Sequence, residues 1–175
     1  NTMASWMIAL SEKLRPIYNL MEEDLLDSDY VCCDETVVQV LKESGKTPQS
    51  KSYMWVRSRH GPKINPIILF DYDPTRSGEV PNRLLKDFKG YLQVDGYGGY
   101  DEVCRRADII RVGCMAHVRR KFYEVQQVSP KQGDANHLLL LIQKLYKIEE
   151  DIREKTIKNR FKIRQEESGP VFKEI

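Results

Sequence analysis

A chain of 175 residues with 41% hydrophobic content suffices for one core of ordinary size plus a helical extension. Its formal net charge of +2 excludes binding of nucleic acid by bulk basicity, so any such partner has to be argued from where the charges lie. No run of about 18 apolar residues occurs, as a membrane-spanning helix would need, and the opening NTMASWMIALSEKL lacks the layout of a secretory signal, so a cytoplasmic chain with no membrane partner is expected.

Asn1 and Thr2 can cap a leader helix whose apolar positions Trp6, Leu10, Leu14, Ile17, Met21 and Leu25 recur at steps of three and four. From Tyr30 the pattern changes to YVCCDETVVQVL, SYMWVRS and PIILF, short runs rich in β-branched and aromatic residues. They are separated by the turn-rich KESGKTPQSK and RHGPKIN, which predicts three sequential antiparallel strands. EVPNRLLKDF then reads as a helix, GYLQVD as a fourth strand, YDEVCRRA as a helix, IIRVGC as a fifth strand and AHVRRKFYEVQQV as a helix. Beyond Ser129-Pro130, the series Leu138, Leu141, Leu145, Ile148 and Ile152 predicts a long helix or helical pair with a coiled-coil-like seam. The organisation expected is a helix over 1–28, a mixed α/β core over 29–130 and helices over 131–175. The cysteines Cys32, Cys33, Cys104 and Cys114 form no regular framework and read as reduced thiols.

Two carboxylates close apolar strand runs, Asp34 in the first strand and Asp95 in the fourth. Carboxylates brought together at neighbouring strand ends repel unless a cation lies between them, and oxygen-only ligation suits magnesium or manganese. Such ions serve phosphodiester chemistry, and the glycines after Asp95 would let a phosphate backbone approach. The plainer reading is a turn at an Asp-Gly step. A second cluster follows where the fifth strand meets a helix: Cys114 and His117, then Arg119, Arg120 and Lys121. The basic side chains could hold phosphates or form a solvated helix face. Cys114 and His117 could be half of a zinc site, although packing near the active rim fits them better. A further basic run, Arg153 to Arg164, could extend a DNA track or face solvent. Asp71 and Asp73 read as turn formers beside Arg76, and Tyr97 and Tyr100 as covers of the core edge or as stacking partners for DNA bases.

The phrases CDETVVQVL, KGYLQVDGYGGYDEV and GCMAHVRRKF, with LYKIEEDIR and RQEESGPVF downstream, resemble the transposases of the bacterial insertion sequence sixty-six family. That resemblance implies a ribonuclease-H-like catalytic core of the DDE group, which cuts element ends and joins them to target DNA with two magnesium ions. Asp34 and Asp95 would be its first two acids and metal ligands, Cys114 and His117 the C-x-x-H signature that supports the active site, and Arg119, Arg120 and Lys121 contacts to the DNA backbone. Met115 stands where the family usually has Trp. Glu150, Glu166, Glu167 and Glu174 are present, but none matches the context of the third acid, which leaves that position unassigned. The chain reads as a central fragment, inactive alone, of a protein that acts as a homo-oligomer on double-stranded DNA with possible accessory proteins of the same element. Alternatives are a noncatalytic DNA-binding or assembly module, self-associating through the leader helix and the 138–152 seam, and another nuclease of the same fold.

Overall fold

The computed structural model describes residues 2–61, 64–128 and 133–175; the Asn1 cap and the Ser129-Pro130 break expected from the sequence lie outside them. The chain forms two compact units, Asn1–Gly113 and Cys114–Ile175.

The first unit opens with α1 (Thr2–Leu26), followed by β1 (Tyr30–Gln39), β2 (Lys51–Arg59) and β3 (Ile67–Asp73). After α2 (Glu79–Leu84) come β4 (Gly90–Val94), two 3-10 turns at Gly98–Tyr100 and Val103–Arg105, and β5 (Ile109–Gly113). The strands make one sheet in the order β3-β2-β1-β4-β5. The first three pair antiparallel, whereas β1 with β4 and β4 with β5 pair parallel. The mixed sheet agrees with the sequence reading, with two corrections. YDEVCRRA is no α-helix but short 3-10 turns, because Arg106 donates to the carbonyls of Leu85 and Phe88, both at 2.8 Å, and pins the segment to the end of α2. Asp71 and Asp73 lie within β3 rather than beyond it.

Alternation along the strands sends Val31, Cys33, Trp55, Leu69, Leu92 and Val94 to one face. There they meet Leu25 of α1, Val80 and Leu84 of α2, and Tyr100 and Val103 of the 3-10 turns. Burying that set supplies the main stabilisation of the unit, at roughly 25 cal/mol for each Å² of apolar surface removed from water. The opposite face leaves Ile68, Phe70, Tyr91 and Ile110 exposed. Most of α1 is exposed as well, and Leu25 is its one buried residue. Arg57, fully buried in the central part of β2, ties the layers together. It donates to Asp71 Oδ2 at 3.0 Å, to the Leu84 carbonyl at 2.8 Å and to Glu22 Oε1 at 2.5 Å. Burial opposes its charge, but Asp71 and Glu22 outweigh that and hold its pKa above the ordinary value. Gly90 starts β4 at φ +123°, and a Cβ there would lie 2.5 Å from the Asp29 carbonyl oxygen, so this entry into the sheet needs glycine.

The second unit is helical: α3 (Met115–Val128), α4 (Gly133–Asp151) and α5 (Ile157–Ile163), a π-helical turn Arg164–Ser168, and α6 (Gly169–Glu174). The expected apolar seam is its core, with Leu141 and Leu145 packed on Val171 and flanked by Met115 and Leu138. The seam is therefore spent inside the unit and does not remain as a surface for self-association. Among the described residues, no helix is long and apolar enough to cross a membrane.

Candidate active site

Asp34 and Asp95 are 61 positions apart in sequence, and the rungs of the β1–β4 ladder, Tyr30 with Tyr91, Val31 with Leu92 and Cys32 with Gln93, keep the same offset. The ladder ends two residues before each aspartate, and the same offset carried on would set them opposite one another. Asp34, expected to close its strand, lies midway along β1 because β1 continues in its antiparallel pairing with β2, whereas Asp95 follows the last residue of β4. Neighbouring parallel strands are about 4.8 Å apart, and residues at one register share a face. Because Val31, Cys33, Leu92 and Val94 point into the core, the two aspartates belong to the open face. Asp34 is exposed and Asp95 half-buried. Each carboxylate is oriented locally: Asp34 Oδ1 accepts the Glu35 N–H and Asp95 Oδ1 accepts the Tyr97 N–H, both at 2.9 Å.

The donor set fits a hard divalent cation in part. Two carboxylates on adjacent strands can hold magnesium when water and substrate phosphate complete the shell. Among the described residues, however, no group of three or more His, Cys, Asp or Glu side chains is placed to hold a metal.

Sequence reading passed over Glu35, next to Asp34. Its side chain turns to the core face and is only 2% exposed. There it accepts a hydrogen bond from the Tyr100 hydroxyl at 2.6 Å and one from Arg76 Nε at 2.7 Å. Burial and the negative groups around it push the Tyr100 pKa up, and burial pushes the Cys33 thiol up to about 12. Burial also works against the charge of Arg76, but the Glu35 hydrogen bond and charge outweigh it and raise the guanidinium pKa. The period-two pattern of β1 was the available signal, since it puts residue 35 in phase with Val31 and Cys33. Tyr100 is fully buried and meets Trp55 edge to face at 5.9 Å, so it covers the core and offers no ring to a DNA base.

In the second unit, Cys114 and His117 start α3, where the His117 N–H donates to the Cys114 carbonyl at 3.1 Å. Both side chains are half-buried. Arg119, Arg120 and Lys121 follow, all exposed. Three consecutive helical positions fan over about 200°, so they cannot all face one phosphate strand. Arg119 lies beside Tyr123 on the groove between α3 and α4, and Lys121 pairs with Glu124 at 3.4 Å.

Several of the remaining candidates have structural partners. Asp71 accepts from Arg57 and from the Tyr18 hydroxyl, the latter at 2.7 Å, which corrects its reading as a turn former. Asp73 does shape the turn after β3, accepting the Thr75 N–H at 2.8 Å. In the basic run, Arg164 grips Glu149 through two 2.6 Å hydrogen bonds and Lys162 pairs with Glu166 at 3.7 Å. Among the acids considered for the third position, Glu150 pairs with Lys147 at 3.1 Å and Glu174 with His137 at 3.2 Å.

A mixed sheet with an antiparallel first half, a parallel second half, one carboxylate midway along β1 and another just past the end of the adjacent parallel β4 is consistent with a ribonuclease-H-like α/β protein. The chain belongs to the Transposase IS66 family, whose family model matches residues 1–175. Three proteins of Sinorhizobium fredii (strain NBRC 101917 / NGR234) are similar to it. Uncharacterized protein y4qI is 30% identical over 97% of this chain and 33% of its own length. Uncharacterized protein y4jD is 28% identical over 99% and 36%, and uncharacterized protein y4hP 24% over 100% and 35%. The chain thus spans about a third of the length of these curated relatives. No solved structure matches it.

Proposed function

We propose that this chain is part of a DDE transposase that cuts DNA at the ends of an insertion sequence and joins the freed ends to target DNA. The observation that carries the proposal is the parallel β1–β4 ladder, whose last rung, Cys32 with Gln93, lies two residues before each of Asp34 and Asp95. Family membership supports it. In this reading the two carboxylates hold magnesium or manganese and do not act as covalent nucleophiles. The bound ions supply activation of the attacking oxygen and stabilisation of the leaving oxygen. A third acid is not assigned. Residues 29–130 are the core in this functional sense, with 1–28 as a leader helix and 131–175 as a helical insertion. Cys114 and His117 support the site from the start of α3, and Arg119, Arg120 and Lys121 bind DNA phosphates. The partners are double-stranded DNA, a further copy of the protein and, possible for an element of this kind, accessory proteins. The exposed stripe of Met7, Leu10, Leu14 and Ile17 on α1 is a surface for self-association.

Calorimetric titration with manganese tests the site, comparing the chain with Asp34→Ala and Asp95→Ala. Binding present in the parent and lost in both variants is the expected result; binding unchanged by either substitution would remove the metal reading. The second reading, a noncatalytic DNA-binding module, is favoured by the lack of a three-ligand cluster among the described residues. It predicts DNA binding that is the same with EDTA as with magnesium.

A further inference from the structure

One guanidinium connects the strand that carries Asp34 to the loop that carries Asp95. Arg76 comes from the segment after β3, outside both strands. Its Nε donates to Glu35 Oε1 at 2.7 Å, and its guanidinium carbon lies 3.7 Å from the centre of the Tyr97 ring. Glu35 is adjacent to Asp34 in β1, and Tyr97 is the residue whose backbone N–H orients the Asp95 carboxylate. The Tyr97 hydroxyl closes the circuit by donating to the Arg76 carbonyl.

The backbone is arranged for this contact. A Cβ at Gly78 would lie 3.0 Å from the Gly99 carbonyl oxygen, so the Arg76 segment and the loop after Asp95 touch main chain to main chain. A Cβ at Gly99 would come within 2.2 Å of the Tyr97 ring, so glycine there is what lets the ring lie under Arg76. On the far side, Arg111 donates to the Asp95 carbonyl at 2.9 Å and to Asp101 at 2.7 Å. The loop is held from both flanks, and its own Tyr100 hydroxyl joins Arg76 on the Glu35 carboxylate of β1.

We propose that Arg76 is a positioning residue that fixes the spacing of Asp34 and Asp95 by clamping Tyr97 against the buried Glu35 carboxylate. The proposal rests on the reading of the two aspartates as a metal-holding pair. An ion pair that merely stabilised the fold would change the melting temperature and leave metal affinity alone. A clamp sets the distance between ligands, so its loss weakens metal binding by about 10- to 100-fold, as for other groups that orient metal ligands.

The test combines manganese calorimetry with amide hydrogen exchange on Arg76→Met, Arg76→Lys and Tyr97→Leu. The last variant removes the ring but leaves the Arg76–Glu35 pair intact, so it covers the case in which Arg76→Met fails to fold. Arg76→Met and Tyr97→Leu are each expected to weaken manganese binding by about tenfold or more. Exchange at the amide of residue 97 should quicken while those of Leu92 and Val94 do not change. Arg76→Lys, which keeps the charge beside Glu35 but not the flat stack, should recover part of the affinity. If Tyr97→Leu binds manganese like the parent while Asp34→Ala and Asp95→Ala abolish binding, the clamp is overturned and the metal site stands. If the parent binds no manganese, or both Asp variants bind it normally, the metal-pair reading fails and the clamp's role falls with it.

Discussion

Asp34 and Glu35 are consecutive in β1 and serve opposite faces of the sheet, the first exposed on the open face and the second 2% exposed in the core layer. Their substitutions should therefore separate. Glu35→Ala leaves the buried Tyr100 hydroxyl and Arg76 without their acceptor, and is expected to lower unfolding free energy by about 2–3 kcal/mol. Asp34→Ala removes an exposed side chain and should change stability by less than about 1 kcal/mol while removing manganese binding. Urea unfolding of the two variants checks this, and equal destabilisation would contradict the assignment of faces.

The glycines after Asp95 are not equivalent. A Cβ at Gly99 collides with the Tyr97 ring at 2.2 Å, whereas one at Gly96 meets nothing within 4 Å. Gly99→Ala should cost about 1–3 kcal/mol as the ring is displaced, and Gly96→Ala should be close to neutral. Thermal melts of both variants decide the point. A Gly99→Ala protein as stable as the parent would mean that the ring is not packed there.

Arg57 is a charged residue of the sheet with no exposure at all, with partners on α1, β3 and α2. Arg57→Met keeps most of the volume but leaves Glu22, Asp71 and the Leu84 carbonyl without their donor. Since both carboxylates keep some contact with water, the expected loss is about 2–4 kcal/mol, below that of a fully buried broken pair. Hydrogen exchange should show the last turns of α1 opening before β1 and β2. Uniform opening of all elements would show that Arg57 does not anchor the helix in particular.

Which parts of this architecture could be read from sequence follows from the range of the interactions that set them. The strands β1, β2 and β4 were legible because each is a β-branched or aromatic run between turn residues. The pairing of Asp34 with Asp95 was suggested by both closing such runs, but their common register needed the β1–β4 ladder. The segment 100–107 misled because its local pattern suits a helix, while Arg106 binding the end of α2 imposes tight turns through contacts about 20 residues away. Glu35 was within reach of a parity argument. Arg76 was not, since its partners lie 41 positions before it and 21 after it. The leucine seam was visible as a period of three and four, but periodicity alone does not say whether the partner is another chain or, as found, Val171 of the same unit.

The buried Cys33 thiol and Tyr100 phenol and the half-buried Tyr18 phenol of the first unit set an alkaline limit to stability. Burial raises the Cys33 pKa from 9.0 to about 12, and burial followed by the Asp71 hydrogen bond raises that of Tyr18 from 10.0 to about 12. Tyr100 is raised as well, by burial first. In each case the native state holds its proton more tightly than the unfolded chain. Their stabilising effect is therefore fully present below the unfolded pKa values and is lost as pH rises from about 9 toward 12. Each group that ionises only in the unfolded chain adds a slope of about 1.4 kcal/mol per pH unit. Urea unfolding between pH 8 and pH 11 should give a plateau followed by a steepening fall, in the range bounded by these values. Cys33→Ala removes the group that titrates first, so its stability should decline less steeply than the parent's by about 1.4 kcal/mol per pH unit from about pH 9 until native Cys33 itself ionises at about 12. A parent protein equally stable at both ends of that range would overturn the assignment of these three protons to the folded state.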